Sequence, residues 1–162
     1  MNLELLLDGL HDYQKAAVEQ VRQHIRAGKK NILLCAPTGS GKTRMSAYMV
    51  ALTSSNNKRS AFVVDRISLI DQTSATFDEL GISHGVVQSN HWRYWPGHNA
   101  QICSVQTIAR RNWPDSNLIV VDECHTVSEV VRKRIAPRDT VTLGLTATPF
   151  TKGLDKLYDA LV

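Results

Sequence analysis

Short apolar runs alternate along the chain with segments in which apolar residues recur at helical spacing. The apolar runs predict buried strands at 31–35, 60–65, 85–88, 101–105, 117–121 and 140–145. Helical spacing predicts helices at 14–27, 45–53, 68–80 and 125–135, a helical turn at 107–111, and the start of another helix over 154–162. Gly28 and Gly81 follow two of these segments, a position typical of helix ends.

This alternation of strands and helices predicts an α/β fold with a mostly parallel central sheet and helices on both faces, a three-layer α/β/α arrangement. The length of 162 residues predicts one domain over 1–162. In such sheets, ligands bind beyond the carboxyl ends of the strands. The polar residues that follow predicted strands are therefore expected at one edge; they are 38–43, Arg66, 106–107, 122–123 and 146–148.

The segment 36–43, Ala-Pro-Thr-Gly-Ser-Gly-Lys-Thr, lies between a predicted strand and a predicted helix. This is the context that a phosphate-binding loop requires, because glycines let successive N–H groups point at one anion. A Lys in this position reaches the β- and γ-phosphates, and a Thr hydroxyl binds Mg²⁺. The predicted ATP-binding residues are Pro37, Thr38, Gly39, Ser40, Gly41, Lys42, Thr43 and Arg44. Ala36 replaces the first glycine of the strict motif, and an ordinary glycine-rich turn remains the alternative.

Two carboxylates, Asp122 and Glu123, follow the apolar run 117–121. Asp122 is predicted to hold Mg²⁺ opposite Thr43, as the acidic residue leaving the strand next to the phosphate-binding loop. Glu123 is then near the γ-phosphate, where it can polarise the attacking water as general base. The alternative is that the pair caps the helix predicted to begin at His125.

Composition adds three limits to this picture. The net charge of +4 and the pI near 9.1 permit a polyanionic partner without requiring one. No apolar run is long enough to span a bilayer, and the first residues lack a basic leader, so we expect no membrane association and no signal peptide. Cys35, Cys103 and Cys124 form no CxxC pair, which favours reduced thiols and a cytoplasmic protein.

The segment 122–125, Asp-Glu-Cys-His, resembles the DExH box of superfamily 2 helicases and translocases. Further stretches are similar to other motifs of that superfamily, in the expected order. Residues 10–14 resemble the Q motif, 63–66 with 69–72 resemble motif Ia, 104–111 resemble the next nucleic-acid-contacting motif, and 145–149 match motif III. The resemblance covers about 10–150 and is strongest to the N-terminal RecA-like domain of the DExH group that includes repair helicases and restriction-enzyme motor subunits.

This resemblance implies roles for individual residues. It implies catalytic roles for Lys42 and Glu123 in ATP hydrolysis, with Mg²⁺ as cofactor. Gln14 would read the adenine edge, although His11 stands where relatives often have Arg. The resemblance also implies that nucleotide state is coupled to nucleic acid through His125, Thr146 and Thr148.

A nucleic-acid contact is predicted for Arg66, Thr107 and Arg110, which follow strand ends. There they can hold phosphates of a strand that crosses the domain without reading its sequence. The alternative for the arginines is a solvated surface position. DNA is favoured over RNA as the partner.

Motors of this superfamily have two RecA-like domains, and the second supplies arginine fingers to the shared ATP site. We expect no second domain of this kind after Thr148 in this sequence. We therefore expect the chain by itself to bind Mg-ATP weakly, to hydrolyse it poorly and to unwind nothing. A non-motor phosphate-loop switch or kinase and a pure nucleic-acid-binding module are the alternatives, although no lid insertion of a kinase is evident.

Aromatic residues cluster in the predicted loop 89–99, where Trp92, Tyr94 and Trp95 surround Arg93. They can stack on unpaired bases or form a satellite hydrophobic cluster under the loop, and the structural interpretation is favoured. His84, His91 and His98 are equally spaced. No cysteine or carboxylate completes a metal set, so zinc is not predicted. 

Overall fold

The computed structural model describes residues 2–126 and 128–162. One parallel sheet of seven strands runs through it, in the order β3-β4-β2-β5-β6-β1-β7. The strands are β1 (Asn31–Cys35), β2 (Ser60–Val64), β3 (His84–Val87), β4 (Ala100–Ser104), β5 (Leu118–Val121), β6 (Val141–Thr146) and β7 (Ala160–Leu161). The helices are α1 (Leu3–Asp8), α2 (Asp12–Arg26), α3 (Lys42–Ser55), α4 (Ser68–Glu79), α5 (Val105–Ile108), α6 (Glu129–Ile135) and α7 (Leu154–Leu157).

Helices cover both faces of the sheet. Side chains of a strand alternate between faces, so Ile32 and Leu34 of β1 join the core under α1 to α4, whereas Leu33 joins the core under α5 to α7. All four residues of β5 are buried, as expected for a central parallel strand. The predicted three-layer α/β/α fold with a parallel sheet is therefore confirmed.

The helix predicted over 125–135 is not continuous. A 3₁₀ turn covers Cys124–Thr126, and α6 begins only at Glu129. Ser128 caps α6 by accepting a hydrogen bond from the Val131 N–H, so the helix starts anew there. The prediction at Val127 lies outside the described residues.

The C-terminal prediction is also wrong in part. Instead of a helix over 154–162, the short α7 is followed by β7, which pairs with β1 at the edge of the sheet. Tyr158 has extended backbone angles, and the Asp159 carboxylate accepts hydrogen bonds from the N–H groups of Lys30 and Asn31. These long-range bonds draw the chain back onto the sheet. The helix α1, capped by Asn2, was not predicted.

The described cysteines, Cys35, Cys103 and Cys124, are all free, and burial raises the pKa of the Cys103 and Cys124 thiols to about 12. Across residues 2–126 and 128–162, no helix has both the length and the apolar character that crossing a bilayer requires.

Candidate nucleotide and nucleic-acid site

The strand ends that carry the predicted site residues lie at one edge of the sheet. The pairing registers align Cys35 with Thr146, Gly144 with Val121, Val121 with Val63, and Val64 with Ser104. Because every one of these pairings is parallel, the segments that follow β1, β2, β4, β5 and β6 all emerge at the same edge. The expected convergence of the strand ends is therefore confirmed.

The sequence had indicated that the phosphate-binding segment and the acidic pair leave neighbouring strands. The structure shows that they do not. β6 lies between β1 and β5. Two strand spacings separate the two segments, which is about 10 Å. A gap of that size leaves room for phosphate groups and a metal ion between them.

The loop before α3 has the backbone that its glycines permit. Gly39 and Gly41 have φ values of 81° and 82°, in the left-handed region where residues with a Cβ are strained. Ala36 is not among the described residues with positive φ, and its N–H continues the sheet by donating to the Thr146 carbonyl. An alanine therefore fits the position where the strict motif has glycine.

Lys42, the first residue of α3, is buried against the loop. Its Nζ donates to the carbonyl oxygens of Ala36 at 2.8 Å and Pro37 at 3.2 Å. The ammonium group thus lies over the loop, at the positive end of a 14-residue helix. Arg44 points elsewhere: its exposed side chain lines a small cavity together with Leu5 of α1.

Gln14 and Tyr13 hold the loop from the other side. The Gln14 Nε2 and the Tyr13 hydroxyl both donate to the Ser40 carbonyl, at 2.8 and 2.9 Å. The Gln14 Oε1 accepts from the His11 N–H at 2.9 Å, so both ends of this buried carboxamide have protein partners. Adenine recognition by Gln14 stays a prediction. The role of Tyr13 was missed, and its place beside Gln14 was the only signal.

The acidic pair has an unusual backbone and a perturbed carboxyl group. Glu123 has φ of 45°, a left-handed conformation that strains a residue with a side chain. Burial raises the pKa of Asp122 above its usual value, and the charge of Glu123 raises it further, whereas Lys42 and His125 lower it. A divalent cation would relieve this penalty. Because Ser128 caps α6, the alternative that Asp122 caps that helix is wrong.

A chain of polar contacts links the acidic pair to the end of β6. The His125 Nδ1 lies 3.3 Å from the Glu123 Oε2 and 3.2 Å from the Thr146 hydroxyl oxygen. The Thr146 hydroxyl in turn accepts the Thr148 N–H at 3.0 Å. The three residues expected to couple the site to the following segment are thus linked in a row, with Thr146 in contact with both His125 and Thr148.

The loops that carry the predicted nucleic-acid contacts are tied together. The Gln106 Nε2 donates to the Asp65 carbonyl at 2.6 Å, and its Oε1 accepts the Ser104 hydroxyl at 2.6 Å. Arg110 is exposed, whereas Thr107 is only 9% exposed and has little surface for a phosphate. Arg66 is also exposed and lines a cavity of about 310 Å³ with the acidic pair and His125.

The sequence favoured an aromatic cluster beneath the loop between β3 and β4, whereas the structure shows Trp92 and Trp95 packed edge to face at its surface, with ring centroids 6.3 Å apart. Trp92, Tyr94 and Trp95 are 71%, 50% and 51% exposed. Arg93 anchors the loop instead, by donating to both carboxylate oxygens of Asp78 at 2.7 and 2.8 Å.

The evenly spaced histidines have separate partners. His84 is buried between the Ser74 hydroxyl and the Ile82 carbonyl, and the His91 Nε2 lies 3.1 Å from Asp71. Among the described residues, no group of three His, Cys, Asp or Glu side chains is arranged to hold a metal ion.

Comparison with known proteins gives this arrangement a family. The family model described as type III restriction enzyme, res subunit, matches residues 8–151. The endonuclease subunit of the type I restriction enzyme EcoKI from Escherichia coli K12 is 32% identical over 134 residues, which cover 72% of this chain and 12% of that protein. The mouse ATP-dependent RNA helicase DHX58 is 26% identical over 165 residues, which cover 82% of this chain and 24% of that protein.

Solved structures share the fold at low identity. The UvsW helicase of bacteriophage T4 matches with a TM-score of 0.76 at 16% identity, over 94% of this chain and 59% of that one. The SWI2/SNF2 ATPase core of Sulfolobus solfataricus, solved with double-stranded DNA, matches with a TM-score of 0.74 at 16% identity, over 92% of this chain and 34% of that one. The chain spans only 12% and 24% of the two curated relatives named above. It belongs to the family described as type III restriction enzyme, res subunit, and it shares the fold of the helicase and ATPase-core structures named above.

Proposed function

We propose that this chain is the ATP-binding half of a nucleic-acid-dependent ATPase motor of the helicase or translocase type. The observation that carries the proposal is the edge of the sheet shared by the glycine loop, the acidic pair and the end of β6. A phosphate site alone would fit many nucleotide-binding proteins. The contact from His125 to Thr146 adds a route by which nucleotide state can reach another surface.

In this proposal Lys42 exchanges the carbonyl oxygens of Ala36 and Pro37 for phosphate oxygens of ATP. The ammonium group therefore has hydrogen-bond partners both with and without ATP, so an empty site costs the protein little stability. Thr43 and Asp122 would hold Mg²⁺ between the two segments. When bound, Mg²⁺ neutralises phosphate charge and holds the phosphate oxygens in place.

Glu123 is proposed as the general base that receives a proton from the attacking water. Its contact with His125 gives that carboxylate a fixed direction. A change at the phosphates would move Glu123, then His125, and then the hydroxyl of Thr146 that holds the Thr148 N–H. This is the proposed coupling between ATP and the nucleic-acid surface.

The proposed partner is nucleic acid, held by phosphate contacts from the exposed side chains of Arg66 and Arg110. The tie between their loops through Gln106 supports a common surface. DNA is favoured over RNA, since one structural neighbour is bound to double-stranded DNA and the Escherichia coli relative is a restriction-enzyme subunit. Because the mouse relative is an RNA helicase, both DNA and RNA should be tested.

A second RecA-like domain is the other proposed partner, because the arginine fingers of the site would come from it. Without them we propose that the chain binds Mg-ATP weakly, turns it over slowly and does not unwind. Loss of an arginine finger lowers the rate of related phosphoryl transfers by roughly 10³- to 10⁵-fold. The free thiols favour a cytoplasmic protein.

The test is binding of a fluorescent ATP analogue in Mg²⁺, with and without single-stranded or duplex DNA or RNA. Lys42→Ala should weaken nucleotide binding by roughly ten-fold or more, because it removes a charge-assisted contact. Lys133→Ala, which removes an exposed lysine from α6, is the matched control and should change nothing. We expect nucleic acid to change the affinity for the nucleotide. A nucleotide affinity that ignores every nucleic acid would favour a non-motor switch or kinase instead.

A further inference from the structure

A second cavity shares no lining residue with the cavity beside the acidic pair. It has a volume of about 500 Å³ and sits beside β3 and β4, at the end of the sheet away from β1. One wall is the loop between β3 and β4, and the other is the segment 109–117 that follows α5. The residues on which the argument depends are Arg59, Tyr94, Gln101, Arg111 and Trp113. None of them has a role in the site described above.

Two aromatic residues, Tyr94 and Trp113, line this cavity. Tyr94 is 50% exposed, and its hydroxyl forms no hydrogen bond with the described residues. Trp113 is half-buried and packs against the core under α5 to α7. Two aromatic side chains in one cavity lining suit a flat ligand.

The walls of the cavity are held in place before any ligand arrives. Gln101 is 1% exposed, and its Nε2 donates to the carbonyl oxygens of Trp95 at 2.9 Å and His98 at 2.8 Å. Arg59 donates to the Pro96 carbonyl at 2.8 Å. Such preorganisation lowers the cost of binding, because little order remains to be imposed.

The charge of the cavity favours an anionic occupant. Arg59 and Arg111 contribute two positive charges, and Asp115 is the single acidic residue in the lining. Arg111 is exposed and forms no ion pair within 2–126 and 128–162. Its neighbour Arg110 is a proposed phosphate contact, so the cavity continues the proposed nucleic-acid surface.

We propose that this cavity binds an unpaired nucleobase of a single strand whose phosphates contact Arg110. Tyr94 and Trp113 supply the faces on which the base stacks, and Arg111 and Arg59 attract the flanking phosphate. The site would accept any base, because stacking needs only a π-face. The inference rests on the proposed function for the presence of nucleic acid, but not on ATP.

The test is fluorescence anisotropy of a labelled single-stranded oligothymidylate titrated with the whole chain. Tyr94→Ala should weaken binding by roughly ten-fold, a typical effect of losing one base–aromatic stack. Trp92→Ala is the matched control, because Trp92 is 71% exposed on the same loop but does not line the cavity. Unchanged binding by Tyr94→Ala, or equal losses in both variants, would overturn the proposal.

A second titration separates base stacking from phosphate contact. An abasic oligonucleotide of the same length should bind the unmodified chain more weakly than oligothymidylate, whereas Tyr94→Ala should bind both alike. Equal binding of both ligands by the unmodified chain would refute the base pocket and leave the proposed motor function intact. Absence of binding by every nucleic acid would count against the proposed function and the pocket together.

Discussion

A positive φ and a close contact with Gln14 both favour glycine at position 41. Its φ is 82°, and a Cβ at this position would collide with the Gln14 Nε2 that holds the Ser40 carbonyl. Gly28 has a similar φ of 85° but open space around it. Alanine substitutions at Gly41 and Gly28 can therefore separate the effect of backbone strain from that of a side-chain collision.

Gly41→Ala should lower the free energy of unfolding more than Gly28→Ala does. Strain at a left-handed backbone costs of order 1 kcal/mol in both variants. Only Gly41→Ala should also displace Gln14 and weaken nucleotide binding. Urea unfolding and titration with a fluorescent ATP analogue measure the two effects. Equal losses of stability with unchanged nucleotide binding would contradict the contact.

Gln14 offers a second comparison at the scale of single residues. Gln14→Ala removes the donor to Ser40 and the acceptor for His11, whereas Tyr13→Phe removes a single donor to the same carbonyl. Because Gln14 is buried, its loss should cost about 1–3 kcal/mol of stability, and the loss at exposed Tyr13 should be smaller. Urea unfolding of both variants measures this. A variant Gln14→Ala that is fully stable and defective only with adenine nucleotides would contradict the structural role.

Among single residues, the sequence predicted those whose chemical roles are defined by short motifs. Lys42, Asp122 and His125 could be named because local spacing and residue type define their chemistry. The bond from Tyr13 to Ser40 joins residues 27 positions apart, and no local pattern contains it. The left-handed backbone of Glu123 was equally hidden, since nothing in its neighbours requires a positive φ.

The loop between β3 and β4 depends on a buried histidine. His84 contacts the Ile82 carbonyl through Nδ1 and contacts Ser74 and Arg93 through Nε2, which is the pattern of a neutral ring. Burial lowers the pKa of His84, and the nearby Arg93 lowers it further, although the Ile82 carbonyl and Asp78 oppose them.

The stability of the chain should therefore fall as the solution is acidified through about pH 6.5, the ordinary pKa of histidine. Below that value the unfolded chain binds a proton at His84 that the folded chain does not accept. The melting temperature should drop more between about pH 7 and pH 5 in the unmodified chain than in His84→Gln. His24→Gln, on α2, is the control and should keep the full pH dependence. An identical pH dependence in His84→Gln would contradict this origin.

The sequence predicted helices and strands correctly where their own residues determine the local structure. β1 matched its predicted bounds, because an apolar run of strand length lies between polar turns. β7 could not be predicted, since two residues become a strand only by pairing with β1. The break between the 3₁₀ turn and α6 depends on the cap at Ser128, which the apolar periodicity of the segment concealed.

The proposed motor needs a second RecA-like domain in addition to this chain, and ATP turnover measures that need. The chain should hydrolyse ATP slowly, and joining it to the second RecA-like half of a relative should raise turnover by roughly 10³-fold or more in the presence of nucleic acid. Lys42→Ala in the joined protein is the control and should abolish the gain. Motor-like turnover by the chain without the second half would contradict the dependence on a second domain.

For the molecule as a whole, we propose that one metal ion joins the glycine loop to the acidic pair across β6. Asp122→Asn tests it, because the variant keeps the shape of the side chain and removes the charge. Calorimetric titration with ATP, with and without Mg²⁺, gives the gain in affinity that Mg²⁺ provides.

We expect Mg²⁺ to strengthen ATP binding by the unmodified chain, and we expect Asp122→Asn to lose this gain without a fall in its Mg²⁺-free affinity. A full Mg²⁺ gain in Asp122→Asn would contradict the shared metal site, because the ion would then be held without Asp122.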